Sequence, residues 1–234
     1  AIFDFNHFPD AITAIAKRGG IFAEGELQGF QEISYAGHDM ARVISDATLI
    51  FVVGPAYSTE AFAKACQPYI KKEQIFVICP GSCAGSLVFK KALGLAVEDD
   101  SVIIAETHTL PYAVRITGEA TISVYNRLKG GYFIAAFPSK YNQMVFDMVS
   151  VVYPEILMAG NVLQTTLQNA NPIIHPSISL CNVALIERTR GEFLFYEEGV
   201  TEGVGRVIEA LDKERIAIGE ALGIQVISDP ELGI

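Results

Sequence analysis

Three short apolar runs, each closed by a turn, constrain this chain more than any other feature. TLIFVVGPA (Thr48–Ala56), IFVICPG (Ile75–Gly81) and SVIIAET (Ser101–Thr107) are rich in β-branched residues and lack the polar alternation of a half-exposed strand. Helical patterns lie between them, over Thr59–Tyr69 with Ser58 as its N-cap and over Ser86–Leu93. Strand, loop and helix in alternation predict βαβ units and a parallel sheet. The opening AIFDF reads as a further buried parallel strand ending at Asp4, followed by a helix over Asp10–Arg18 that Gly19 and Gly20 stop. IFAEGELQGFQEIS supplies one or two short antiparallel strands, and a short helix near Asp39–Ile44 precedes the first of the three runs. ATISVYN and YFIAAFP read as strands, and Tyr141–Val152 as a helix.

After Gly160 the character changes to helical patterns over Thr165–Ile174, Ser179–Arg188 and Thr201–Leu222. In the last, Val204, Val207, Ile208, Leu211, Ile216, Ile218 and Leu222 form an apolar stripe, and the polar run Asp212–Arg215 is expected to face outward. The expected fold is α/β: a Rossmann-like parallel sheet domain over residues 1–159, incomplete at its N-terminus, followed by an all-α domain over 160–234.

The incompleteness rests on a missing motif. A doubly wound sheet that holds a dinucleotide carries a glycine-rich phosphate turn after its first strand, and about 20 residues later an acid for the adenosine ribose. The sequence contains no GxGxxG. Asp4 stands where that ribose acid would stand if the first strand and glycine turn lay upstream of Ala1; as a bare residue it reads equally as a loop acid. A carboxylate there favours NAD, with NADP left open. Gly54-Pro55-Ala56 and Gly81 close successive strands, where small residues let the backbone approach a cofactor.

In QTTLQNANPIIHPSISLCN, Asn171 and His175 are four residues apart, on one face of a helix that Pro176 can end. An imidazole beside an amide can move a proton near neutral pH, although a histidine in an apolar helical stretch is more often a hydrogen-bonded core residue. Its neighbours narrow the choice. NANPIIHP (Asn169–Pro176), ETHTLPYAVR (Glu106–Arg115), GNVLQTTLQN (Gly160–Asn169) and GEFLFYEEGVTEGVGRVIEALDKERIAIGEALGI (Gly191–Ile224) together resemble the NAD/NADP octopine/nopaline (opine) dehydrogenase family. The resemblance covers nearly the whole chain in order. It implies a reductive condensation in which an amino acid joins an α-keto acid such as pyruvate and NAD(P)H reduces the imine. It also implies that His175 is catalytic, that Asn171 places substrate and nicotinamide, and that Thr109 contacts the amino-acid substrate. Val114 stands where octopine-type members carry a cysteine, so a more apolar amino acid than arginine is expected. Arg115 can bind a carboxylate through its planar fork or serve in a structural salt bridge. His108 is the competing proton carrier; His7 and His38 look peripheral.

The formal charge of −10 argues against nucleic acid and anionic lipid as partners, and no apolar run approaches the length of a membrane helix. The four cysteines match no strong zinc pattern and read as reduced thiols of a cytoplasmic protein. No metal site is expected; Glu197, Glu198 and Glu202 read as helix capping rather than metal ligands. A homodimer is left open. The alternatives are another Rossmann-plus-helical dehydrogenase, of ketopantoate reductase or glycerol-3-phosphate dehydrogenase type, and a non-catalytic or ligand-binding remnant. The absence of lysine between Gly160 and Arg188 counts against the former, because those enzymes usually carry a catalytic lysine there.

Overall fold

A computed structural model describes residues 1–228. The chain divides into two compact units, Ala1–Val162 and a second beginning at Leu163. In the first, β1 (Ile2–Phe3), α1 (Pro9–Arg18), the hairpin β2 (Gly20–Gly25) and β3 (Gly29–Glu32), β4 (Ala36–Gly37) and α2 (Met40–Ile44) precede the main sheet. Gly19 ends α1 in the left-handed region at φ 75°, and Asp39 caps α2 by accepting from the Arg42 N–H at 3.1 Å. The main sheet then follows as β5 (Leu49–Val53), α3 (Thr59–Cys66), β6 (Ile75–Cys79), α4 (Gly85–Ala92) and β7 (Ile103–Thr107). After β8 (Tyr112–Gly118) and β9 (Thr121–Arg127), the unit closes with β10 (Tyr132–Phe137), α5 (Asn142–Ser150) and β11 (Ile156–Met158).

β5, β6 and β7 are parallel, as the three apolar runs predict, in a five-stranded sheet of order β11-β10-β7-β6-β5. Side-chain alternation divides β6 between two cores. Phe76 and Ile78 pack with Ile44, Ala63, Cys66 and Phe89 on the side of α2, α3 and α4. Ile75, Val77 and Cys79 pack with Ile134, Val145 and Val149 on the side of α5.

The sheet is mixed rather than wholly parallel, because β10 runs antiparallel to β7. No helix carries the chain between them: the β8–β9 hairpin does, and without a crossover the returning strand enters reversed. Residues 112–118 form the strand β8 of a second sheet with order β3-β2-β9-β8. Ser58 is not a side-chain cap; it lies in a 3-10 turn, and its hydroxyl donates to the Pro55 carbonyl at 2.7 Å.

α6 (Val162–Gln168) starts at the boundary residue, and the second unit continues with α7 (Asn171–Cys181), α8 (Val183–Thr189) and α9 (Glu202–Ala221). The pattern expected as one helix over Thr165–Ile174 breaks at Asn169-Ala170, since Pro172 is accommodated in the first turn of a new helix where its missing N–H is not needed. Pro176 lies inside α7 instead of ending it. The donor it lacks would have served the carbonyl of Pro172, also in the helix's first turns. Thr201 caps α9, accepting from the Val204 N–H at 3.4 Å.

Asp212 and Arg215 do not face outward; each is 7% exposed. The Arg215 guanidinium donates to Asp212 Oδ1 through Nε at 2.8 Å, to the Leu167 carbonyl at 2.7 Å and to the Ile227 carbonyl at 3.1 Å. These bonds tie α9 to α6 and to the segment after it, which compensates the charge for leaving water. Gln168 makes a reciprocal pair with the Ile227 backbone at 2.9 Å each way. Among the described residues, no helix is long and apolar enough to cross a membrane.

Replacing Arg215 by Met strands the buried Asp212 carboxylate and is expected to destabilise the chain by about 3 kcal/mol. Urea unfolding followed by far-UV circular dichroism checks this, and an unchanged midpoint would mean the pair contributes nothing.

Candidate active site

The sequence-selected residues of the first unit cluster at the ends of its strands. Asp4 directly follows β1. Its Oδ1 accepts from the Phe5 N–H at 2.7 Å, and its carbonyl accepts from His38 Nδ1–H at 2.7 Å. His38 is thereby a support of the Asp4 backbone. The Phe5 ring, next in the chain, lies 4.9 Å from that of Phe62 on α3.

Gly54, Pro55 and Ala56 follow β5, and the Pro55 carbonyl receives both the N–H and the hydroxyl of Ser58. A Cβ on Gly54 would lie 2.5 Å from Ser58 Oγ and 3.3 Å from Phe62 Cε2. A side chain there would displace the Ser58 hydroxyl from the Pro55 carbonyl, so packing favours glycine whatever binds outside.

Gly81 opens the loop after β6, and packing fixes it too. A Cβ there would lie 2.6 Å from Cδ of Glu106, the fourth residue of β7. Glu106 is fully buried, and one of its oxygens accepts the Ser86 N–H at 2.8 Å near the start of α4, where a carboxylate is favoured by the helix dipole. The loop it anchors holds Ser82 and Ala84 in the left-handed region, at φ 55° and 53°. That conformation is uncommon for residues with a side chain and is held by the surrounding bonds.

Thr109 follows β7, and its carbonyl accepts the Thr107 hydroxyl at 2.9 Å. His108 beside it is 3% exposed, with Nδ1 accepting the Phe133 N–H at 3.1 Å. That bond joins β7 to β10 and requires an unprotonated Nδ1, so His108 is a structural histidine. Arg115 lies apart on β8, exposed, donating to the Val114 carbonyl at 2.9 Å and making no salt bridge among the described residues.

In the second unit His175 is half-buried on α7, and its Nε2 lies 2.7 Å from the Tyr196 hydroxyl. The Phe195 ring is tilted against the imidazole at 6.0 Å. Tyr196 is the functional candidate that sequence reasoning missed: it is 21 residues from His175, inside FLFYEEGV, and no spacing rule connects them. Asn171 shares the helix, but its Nδ2 donates to Asn169 Oδ1 at 2.7 Å. Of the acidic cluster, Glu198 accepts the Leu194 N–H at 2.6 Å and Glu202 pairs with Arg206 in the first turn of α9.

Burial pushes the Cys79 thiol up to about 11 and the Cys66 thiol up to about 12. Burial likewise raises the Tyr153 phenol to about 12. Cys83, in the loop after β6, and Cys181, at the end of α7, are exposed.

Residues 158–232 match the family model described as NAD/NADP octopine/nopaline dehydrogenase, alpha-helical domain. An opine dehydrogenase from Arthrobacter sp. strain 1C is 33% identical over 218 residues, which are 93% of this chain and 60% of that protein. The chain thus spans 60% of that relative's length. An octopine dehydrogenase structure with NADH and pyruvate superposes with a TM-score of 0.70 at 17% identity, covering 92% of this chain and 57% of that one. A PanE/ApbA family ketopantoate reductase from Ralstonia eutropha JMP134 superposes at 0.64 with 16% identity, covering 96% and 68%. The likeness of fold therefore extends across both enzyme classes.

Because the thiolate is the reactive form, iodoacetamide near neutral pH should alkylate Cys83 and Cys181 and spare Cys66 and Cys79 until the chain unfolds. Peptide mass mapping reads the order; early labelling of Cys79 would show that β6 is not closed.

Proposed function

We propose that the chain, whose residues 158–232 match the alpha-helical domain of the NAD/NADP octopine/nopaline dehydrogenase family and which is 33% identical to an opine dehydrogenase, is a member of that family and serves an opine-type reductive condensation. The amine of an amino acid adds to the carbonyl of an α-keto acid such as pyruvate, water leaves, and the resulting C=N bond takes a hydride at carbon and a proton at nitrogen. One observation carries the reading: the 2.7 Å contact between His175 and Tyr196 within the segment that matches the family. An imidazole partnered by a phenol can accept a proton from the attacking amine and return it to the departing hydroxyl. Asn171 is assigned to placing the substrate, and Thr109 and Arg115 to binding its polar groups.

Bound NAD(H) supplies the hydride. Asp4, Gly54, Pro55, Ala56 and Gly81 would hold it. The half-buried Asp4 carboxylate suits a ribose and repels a 2′-phosphate, which favours NAD over NADP. The sequence contains no GxGxxG turn for the pyrophosphate, so the residues present fit the cofactor at its ribose through Asp4 and leave the phosphates without a cradle. All four cysteines are free thiols, which suits a reducing compartment such as the cytoplasm.

The test is NADH oxidation by the active protein with pyruvate against a panel of amino acids. His175→Ala should lower turnover by about 10²–10⁴ with cofactor affinity retained, and Tyr196→Phe should lower it less. Near-normal turnover of His175→Ala would remove the assignment. Asp4→Asn should weaken NADH and improve NADPH relative to it, measured as the ratio of their kcat/KM values.

A further inference from the structure

Tyr196 is 60% exposed and lies between α8 and α9, outside any helix or strand. Its hydroxyl nevertheless meets Nε2 of His175 at 2.7 Å. A side chain so open to water keeps one direction only if the backbone beneath it is fixed.

Residues 194–199 close on themselves. The Leu194 carbonyl accepts the Glu198 N–H at 2.8 Å, and the Leu194 N–H donates to the Glu198 carboxylate at 2.6 Å. The turn that carries Tyr196 is therefore one compact piece, and its attachment to α7 decides where the phenol sits. Gly199 makes that attachment in two ways. A Cβ there would lie 2.8 Å from Cγ2 of the fully buried Ile178, so the Gly199 backbone rests directly on α7. The Gly199 carbonyl also accepts a hydrogen bond from Nδ2 of Asn182 at 2.8 Å.

Asn182 stands at the junction of α7 and α8. The same Nδ2 donates to the Ile178 carbonyl in the last turn of α7 at 2.8 Å, and the Asn182 carbonyl accepts the Ile186 N–H of α8 at 2.9 Å. Satisfying the end of α7 uses only one of the two amide hydrogens. The second is directed at a carbonyl 17 residues away. An aspartate of the same shape has no hydrogen to give and would set a carboxylate against two carbonyl oxygens.

We infer that Asn182 is a positioning residue: its amide docks the 194–199 turn on α7 and so holds the Tyr196 hydroxyl on Nε2 of His175. A hydrogen bond at one nitrogen of a neutral imidazole selects which of the two carries the proton. With the turn docked, the phenol makes that selection, and the ring enters a proton transfer in one tautomer rather than two. The use of that tautomer on a substrate rests on the proposed function; the docking of the turn does not.

The test compares Asn182→Ser, Tyr196→Phe and the double variant of the 234-residue chain. A serine hydroxyl at position 182 still reaches the carbonyl four residues before it, which keeps the α7 bond and drops the Gly199 bond. Heteronuclear NMR of the two ring nitrogens of His175, recorded at alkaline pH where imidazoles are neutral, reads the tautomer. Tyr196→Phe should displace both resonances towards those of a free imidazole. Asn182→Ser should displace them the same way, and the double variant should add nothing further. Gly199→Ala lifts the turn from Ile178 without touching Asn182; it should give the same displacement, and it serves if the serine variant does not fold. Turnover of the double variant should lie within about twofold of Tyr196→Phe alone, because the two changes remove one contact.

Resonances unmoved in Asn182→Ser or in Tyr196→Phe would overturn the proposal, as would displacements that add in the double variant. A lower melting temperature with unmoved resonances would mean that Asn182 only caps its helix. The expected displacements in a protein that oxidises NADH with no amino acid would keep the clamp and remove the opine reading.

Discussion

Burial of β6 on both faces is the constraint from which the first unit is built. Its five residues are all excluded from water, so each face must be covered by a separate layer. The even-numbered side chains require α2, α3 and α4, and the odd-numbered ones require α5, which covers the same face of β10. No single helix could satisfy both sets, because successive side chains point to opposite faces. The parallel neighbours β5 and β7 inherit the same direction, which brings the ends of all three strands to one edge of the sheet. Gly54, Gly81 and Thr109 are gathered there as a consequence of core packing.

Glu106 carries that order from the core into the loops. A buried carboxylate is costly unless its oxygens are bonded, and this one receives the Ser86 N–H at the start of α4 while the backbone of Gly81 presses against it. The loop from Pro80 to Gly85 is thus braced from behind by a strand residue and from the side by a helix. Two non-glycine residues in left-handed conformation within it are the local cost of that brace. Rigidity of this kind suits a surface that must present backbone to a ligand without reorganising.

The parts of the fold legible in the sequence are those set by local pattern. The runs that became β5, β6 and β7 announce themselves by composition, and α9 by its apolar stripe, of which Val204, Ile208, Leu211 and Ile216 are turned inward while Val207, Ile218 and Leu222 are exposed. Reversal of β10 was not legible, since it depends on the β8–β9 hairpin finding a second sheet with β2. Outward placement of Asp212 and Arg215 followed from polarity alone. They are inside because Leu167 and Ile227, distant in sequence, offer carbonyls to the guanidinium. The same limit hid Tyr196. Its hydroxyl meets His175 only because the chain between Cys181 and Glu202 folds it back on α7, and no residue spacing encodes that return.

The two internal histidines that competed for a chemical role are separated by their hydrogen bonds more than by their sequence contexts. His108 sits after a strand end, as a catalytic residue of an open sheet often does, yet its Nδ1 is committed to the Phe133 N–H inside the sheet. Protonating that nitrogen would break a β7–β10 bond and place a cation in the core, so its acid–base cycle is tied to the stability of the fold. His175 has the opposite arrangement. Its Nε2 meets the Tyr196 hydroxyl on a half-buried part of α7, and that contact involves no backbone group of a strand or helix. The bond between His175 and Tyr196 joins two side chains, whereas that of His108 is part of the sheet.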